Sequence, residues 1–146
     1  MAAPASIKQP ILYLDVVGTL LVDRGSDLRP ADYTQTFLDQ IRGKFRVRLL
    51  SSLEQHQASF VAKKLALEAE YVPYRRALGK ASAIDFKDDF YWIDDDPTPA
   101  DLLRLADERC SDRLIPVNRR EGVTEATLKK LLSTCDQHGQ PRAHEG

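Results

Sequence analysis

Little in this chain points to a cross-linked, membrane-spanning or polyanion-coating protein. Of its 146 residues only two are cysteine, Cys110 and Cys135. They lack metal-site spacing and are expected to be reduced thiols on or near helices. No apolar run approaches the ~20 residues needed to cross a bilayer. The opening Met1-Ala2-Ala3-Pro4-Ala5-Ser6 lacks the charged-then-apolar layout of a secretion signal. The expected setting is cytoplasmic, with no membrane contact. Net charge is -1, so no overall basic excess draws the chain to nucleic acid or an anionic surface. The local pairs Arg46 and Arg48, Arg75 and Arg76, and Arg119 and Arg120 read first as solvated surface.

What is present suits one domain with a packed core. Hydrophobic residues make up 42% and charged residues 29%, the balance of an ordinary globular chain of this length. Residues 1–9 read as an N-terminal extension, 10–136 as the folded domain and 137–146 as a polar, disordered tail. Ile11–Leu14 is a continuous apolar run, the mark of a parallel strand buried on both faces. Leu20-Leu21-Val22 leads into the polar turn Asp23-Arg24-Gly25-Ser26. Pro30 is suited to open a helix, along which Tyr33, Phe37, Leu38 and Ile41 form an apolar stripe. Phe45–Leu50 reads as the second strand. Ser52 and Gln55 have capping-box spacing ahead of a helix whose inner face is expected at Phe60, Val61 and Leu65.

Tyr71-Val72-Pro73 suggests a short strand, and Lys80–Ile84 a short helix. Phe90–Ile93 is the next buried strand. Thr98, Pro99 and Asp101 supply a cap, a first-turn proline and an acid near the positive helix end. Leu102, Leu103, Leu105 and Ala106 are the expected apolar face. Arg113–Val117 and a helix carrying Leu128, Leu131 and Leu132 follow. Strands alternating with helices predict right-handed crossovers and a mainly parallel sheet of about five strands between helical layers, a three-layer Rossmann-like α/β fold.

In such sheets ligands bind beyond the carboxyl ends of the strands, where the strand order reverses. Asp15, Ser51 and Asp94-Asp95-Asp96 all fall just past expected strand ends. Asp15 is the expected nucleophile, since a carboxylate can attack a phosphoryl group and form an acyl phosphate. Both groups are anionic, so a cation is needed between them. Mg2+ takes oxygen ligands and only one or two protein carboxylates, which Asp15 with Asp94 and Asp95 can provide. Gly18 permits a sharp turn and Thr19 can brace it. Ser51 is placed to hydrogen-bond a phosphoryl oxygen. Lys80 is placed to set a positive charge beside the transferring group.

Together these residues resemble the haloacid-dehalogenase-like (HAD) hydrolase superfamily. Leu12-Tyr13-Leu14-Asp15-Val16-Val17-Gly18-Thr19-Leu20 looks like its first motif, an apolar run followed by Asp-x-Asp-Gly-Thr-Leu. Leu49-Leu50-Ser51 looks like the second, Lys80 is placed like the third-motif lysine, and Tyr91-Trp92-Ile93-Asp94-Asp95 looks like the fourth. The stretch from Lys80 through Ile115-Pro116-Val117 to Glu121-Gly122-Val123-Thr124 also looks like HAD domains associated with bacterial RNA-repair proteins. Only 36 positions separate Asp15 from Ser51, and the resemblance then implies a capless form. It implies metal ligation by Asp15, Asp94, Asp95 and the backbone carbonyl of Val17.

Val17 departs from the pattern. The matching aspartate in the family is the general acid/base, and loss of such a group typically costs about 10²–10⁴ in rate. Three readings stay open. The first is a Mg2+-dependent phosphohydrolase or phosphotransferase of reduced activity, acting on a phosphorylated substrate that includes macromolecules in its range. The second is a catalytically impaired pseudoenzyme that binds or regulates. The third is a nucleic-acid end phosphatase in which Arg75, Arg76 and Lys80 hold phosphates. If turnover is efficient, another acid must carry the proton instead, with Asp23 and Asp96 as candidates.

Overall fold

The computed structural model describes residues 9–139. Most of the expected N-terminal extension, and the tail from residue 140 onward, lie outside the described residues. Five strands form one parallel sheet. They are β1 (Ile11–Leu14), β4 (Arg46–Leu49), β5 (Glu70–Tyr71), β6 (Phe90–Asp94) and β7 (Leu114–Pro116), in the order β5-β4-β1-β6-β7. Between β1 and β4 lies a separate antiparallel hairpin, β2 (Leu21–Asp23) with β3 (Leu28–Pro30). The described residues also form four α-helices, α1 (Thr34–Ile41), α2 (Gln55–Lys64), α3 (Pro99–Asp107) and α4 (Glu125–Gly139), and three short 3₁₀ turns.

The sheet separates two cores, as strand alternation requires. Leu12, Leu14, Val47, Leu49, Tyr91 and Ile93 pack on one side with Phe37, Leu38 and Ile41 of α1, Ala58 and Ala62 of α2, and Leu128 and Leu131 of α4. Ile11, Tyr13, Phe90 and Trp92 face the other side, against Leu105 of α3 and Ala81 and Ile84. The fold is thus the expected three-layer α/β arrangement. Among the described residues, no helix is long and apolar enough to cross a membrane. Both cysteines are free thiols.

Several local expectations are corrected. Pro30 closes β3 rather than opening a helix, because the segment pairs back on β2 with Leu21 opposite Pro30. The helix starts at Thr34, whose hydroxyl donates to the Leu20 carbonyl at 2.8 Å. The cap of α2 is not Ser52 with Gln55. Its N-cap is Glu54, whose backbone N–H donates to the Gln57 side chain at 3.0 Å. Ser51 Oγ accepts from Leu53 N at 3.1 Å, so the chain completes a turn before the helix begins.

The buried face of α2 is consequently Ala58 and Ala62, continued by Leu65, while Phe60 is 61% exposed. Two alanines let the helix backbone approach the sheet closely. On α3, Asp101 and Leu105 are buried, whereas Leu102 and Leu103 are exposed. The last helix continues to Gly139, past the expected boundary at residue 137.

Candidate metal and phosphoryl site

The strand register builds the site. Leu14 of β1 lies opposite Ile93 of β6, so the next residues, Asp15 and Asp94, emerge side by side at the carboxyl edge. Asp15 N continues the ladder to Ile93 O at 3.1 Å. These two strands meet at the centre of the sheet, where one set of connections runs outward to β4 and β5 and the other to β7. This is the topological switch point that favours ligand binding.

Both carboxylates are almost sealed from water, Asp15 at 3% exposure and Asp94 at 1%. Lys80 enters from a 3₁₀ turn, Lys80–Ala83. Its Nζ donates to Asp15 Oδ1 at 2.9 Å and to Asp94 Oδ2 at 2.7 Å. Thr19 Oγ1 donates to the other oxygen of Asp15 at 3.1 Å. Asp94 is further held by Trp92 Nε1 at 3.2 Å and by Asp96 N at 2.9 Å. Asp95 completes the acidic group: one carboxylate oxygen from each of Asp15, Asp94 and Asp95 lies within 4.8 Å of the others.

The turn after β1 makes room for Asp95. The Val16 carbonyl accepts from the amides of Thr19, Leu20 and Leu21. Gly18 sits at φ +88, and a Cβ there would collide with the Asp95 carboxylate, lying 2.6 Å from its Cγ. Glycine is needed both for the left-handed backbone and for that close approach.

The electrostatics favour a cation. Burial first, then the Asp94 charge, pushes the Asp15 carboxyl up to about 8. The Asp94 carboxyl is raised as well, chiefly by burial, with the Lys80 ammonium opposing the rise. Burial disfavours the Lys80 ammonium, but the two carboxylates outweigh it and its pKa is raised. Three carboxylates face the Lys80 ammonium and, at the rim, the Arg119 guanidinium, leaving one negative charge unmatched when all are ionised. Hard oxygen donors with that deficit fit Mg2+. The Val17 carbonyl accepts no hydrogen bond among the described residues, so its lone pairs are available to the same ion.

The site floors an open cleft of about 1130 Å³. Asp15, Val17, Lys80, Asp94 and Asp95 all line it. Ser51 is buried beside this edge with its hydroxyl engaged in the Leu53 turn, and Ser52 forms the cleft wall there. Arg76 lines the cleft and Arg75 does not. Asp23 and Asp96 are on the wall; Asp23 accepts from Gly25 N at 2.9 Å, and Asp96 lies 3.4 Å from Arg119.

Sequence reasoning missed two supports. Trp92 was read as core, yet its indole N–H reaches Asp94. Asp101 was read as a helix-capping acid, and it does accept from Thr98 N at 3.0 Å. Its other oxygen accepts from Ala81 N at 2.9 Å, tying α3 to the turn that carries Lys80. Gly79, at φ +83, gives Asp101 room: a Cβ there would lie 2.5 Å from Asp101 Oδ1. The signal in the sequence is the Gly79-Lys80 pair, a glycine immediately before the third-motif-like lysine. Arg119 was also read as plain surface, but it lies 3.6 Å from Asp95.

No protein-family model and no curated protein sequence matches the chain. Solved structures do. The HAD domain of the effector protein Lem4 from Legionella pneumophila aligns with a TM-score of 0.59 at 13% identity, over 88% of this chain and 96% of that one. A hypothetical protein from Xanthomonas campestris aligns with a TM-score of 0.50 at 18% identity, over 93% and 88%. The connection after β1 holds only the hairpin and α1 before the next sheet strand, and that after β5, the third sheet strand, holds only two 3₁₀ turns before β6, so neither carries a cap domain. With its five-stranded parallel sheet and its acidic switch point, this chain has a HAD-like fold.

Proposed function

We propose that the protein is a Mg2+-dependent phosphohydrolase or phosphotransferase that works through an aspartyl-phosphate on Asp15. The observation that carries this reading is the cluster itself: Asp15, Asp94 and Asp95 with converging oxygens, and Lys80 bridging the first two. A bound Mg2+ would screen the phosphoryl oxygens from the carboxylates. Asp15 forms a bond to phosphorus while the bond from phosphorus to the leaving oxygen breaks, and that oxygen departs with the electron pair. Thr19 orients the carboxylate, and Lys80 offers positive charge where negative charge develops. Water then attacks the aspartyl-phosphate, releasing inorganic phosphate, or an acceptor hydroxyl takes the phosphoryl group. Enclosure by the low-dielectric core strengthens each of these interactions.

Val17 supports a second reading, a module that keeps the fold and cation site but turns over weakly. Its side chain lines the cleft and can neither donate nor accept a proton. The decisive assay measures Mg2+-dependent hydrolysis of 4-nitrophenyl phosphate by the wild type, Asp15→Asn and Val17→Asp. The enzyme reading expects turnover that Asp15→Asn abolishes, and activity unaffected by that change sinks it. A rise of about 10²–10⁴ in Val17→Asp, from a negligible wild-type rate, favours the impaired module.

A further inference from the structure

The cleft does not end at the acidic cluster. Leu28, at the start of β3, lines it and also lines a second, mostly apolar groove of about 390 Å³ formed with Leu21, Leu53, Phe60 and Val61, with the polar His56 and Gln57 in its lining. That volume lies within the ~300–1,000 Å³ range of small-molecule sites. Val17, on the cleft side, is bridged to Leu21, on the groove side, through the turn after β1. Leu28 is thus common to the lining of both cavities, and the Val17–Leu21 backbone pair lies between them. Phe60 and Leu28 stand 61% and 44% exposed, although α2 buries its alanines instead. An exposed phenylalanine in a groove that shares a wall residue with the phosphoryl cleft is suited to holding an apolar leaving group.

From the Leu28 wall that the two cavities share we infer that the groove is a leaving-group subsite and that the substrate class is aryl phosphates. The inference rests on the proposed phosphoryl chemistry at Asp15. Two separate features converge on it. The groove selects an apolar, flat group that can lie against Phe60. Val17 selects a leaving oxygen that needs no proton as the bond breaks. A phenolic oxygen meets both demands, because it is far more acidic than an aliphatic hydroxyl. In the step, a carboxylate oxygen of Asp15 bonds to phosphorus, the phosphorus–aryl oxygen bond breaks, and the electron pair leaves on the phenolate. The phenolate takes its proton from water after departure. Water then cleaves the aspartyl-phosphate to inorganic phosphate. A sugar or glycerol phosphate satisfies neither demand, and an alkyl phosphate satisfies only the first.

The test uses the full chain with Mg2+ and four substrates: acetyl phosphate, 2-naphthyl phosphate, n-hexyl phosphate and glycerol phosphate. Acetyl phosphate needs no proton but has nothing to fill the groove. The expected order of kcat/KM places 2-naphthyl phosphate well above glycerol phosphate, with n-hexyl phosphate inhibiting competitively while turning over slowly. In Phe60→Ser and Leu28→Ser the ratio of kcat/KM for 2-naphthyl phosphate to that for acetyl phosphate should fall by about tenfold or more, mostly through KM. Leu103→Ser, an exposed leucine on α3, should leave that ratio unchanged. If acetyl phosphate is hydrolysed in an Asp15-dependent way while the groove variants leave the ratio intact, the subsite is overturned and the phosphoryl chemistry stands. Preference for glycerol phosphate overturns it equally. If no substrate, acetyl phosphate included, is turned over through Asp15, both readings fall together.

Discussion

Lys80 joins Asp15 and Asp94 through one ammonium, and taking away one partner of a buried ion pair is expensive because the remaining charge stays buried. Lys80→Ala should cost about 3–5 kcal/mol near pH 9 and less near pH 5, where the carboxyls can keep a proton; urea denaturation at both values checks this. The lysine pKa is raised in the folded protein. While the carboxylates are ionised, its stabilising contribution is therefore complete below its ordinary 10.5 and is lost as pH rises through the higher folded value. Asp15 has the same direction of shift and the same sign of linkage, over a lower pH window. Unfolded, it ionises near 3.8; folded and metal-free, it holds its proton up to about 8 because of burial and the Asp94 charge. The folded state binds more protons across that window, so stability should fall as pH rises from about 4 to about 8. A divalent cation must displace the same proton. Mg2+ affinity, followed by titration calorimetry, should climb over this window and level off above about 8; a flat profile would contradict the Asp15 assignment.

Among the elements, the pairing of α3 with the Lys80 turn shows how a local signal can carry a second role. Thr98, Pro99 and Asp101 are legible as a helix start, because capping depends on residues three apart. The bond from Ala81 N to Asp101 spans 20 positions, and no local pattern announces it. Asp101→Ala should therefore cost about 1–3 kcal/mol and also lower kcat by loosening Lys80. Thr98→Ala should cost about 1 kcal/mol with a smaller effect on kcat. Comparing thermal melts and kcat in the two variants separates the cap from the brace. The β2–β3 hairpin was illegible for a related reason: each strand has three residues, too few for alternation, and Pro30 reads as a helix opener. On α2 the residues seen as the inner face were the large ones, yet the face that meets the sheet carries small side chains. That leaves Phe60 free to line the groove.

For the whole molecule, the parallel sheet was legible because its central strands are continuous apolar runs ending in acid. Those runs also carry the register. Once Leu14 pairs with Ile93, Asp15 and Asp94 must meet at one edge, so the acidic part of the site follows from the sheet. The rim does not. Arg24, Arg76 and the adjacent Arg119 and Arg120 reach the cleft from three separate segments, and only the tertiary arrangement brings them together. The central claim is that Asp15 is a phosphoryl-accepting carboxylate beside a Mg2+ site made with Asp94 and Asp95. A crystal structure grown with Mg2+ and beryllium fluoride tests it most directly. The account predicts a beryllium fluoride adduct on an Asp15 carboxylate oxygen and Mg2+ ligated by Asp15, Asp94 or Asp95, and the Val17 carbonyl. Occupied Mg2+ with an unmodified Asp15, or no cation at this edge at all, would contradict it.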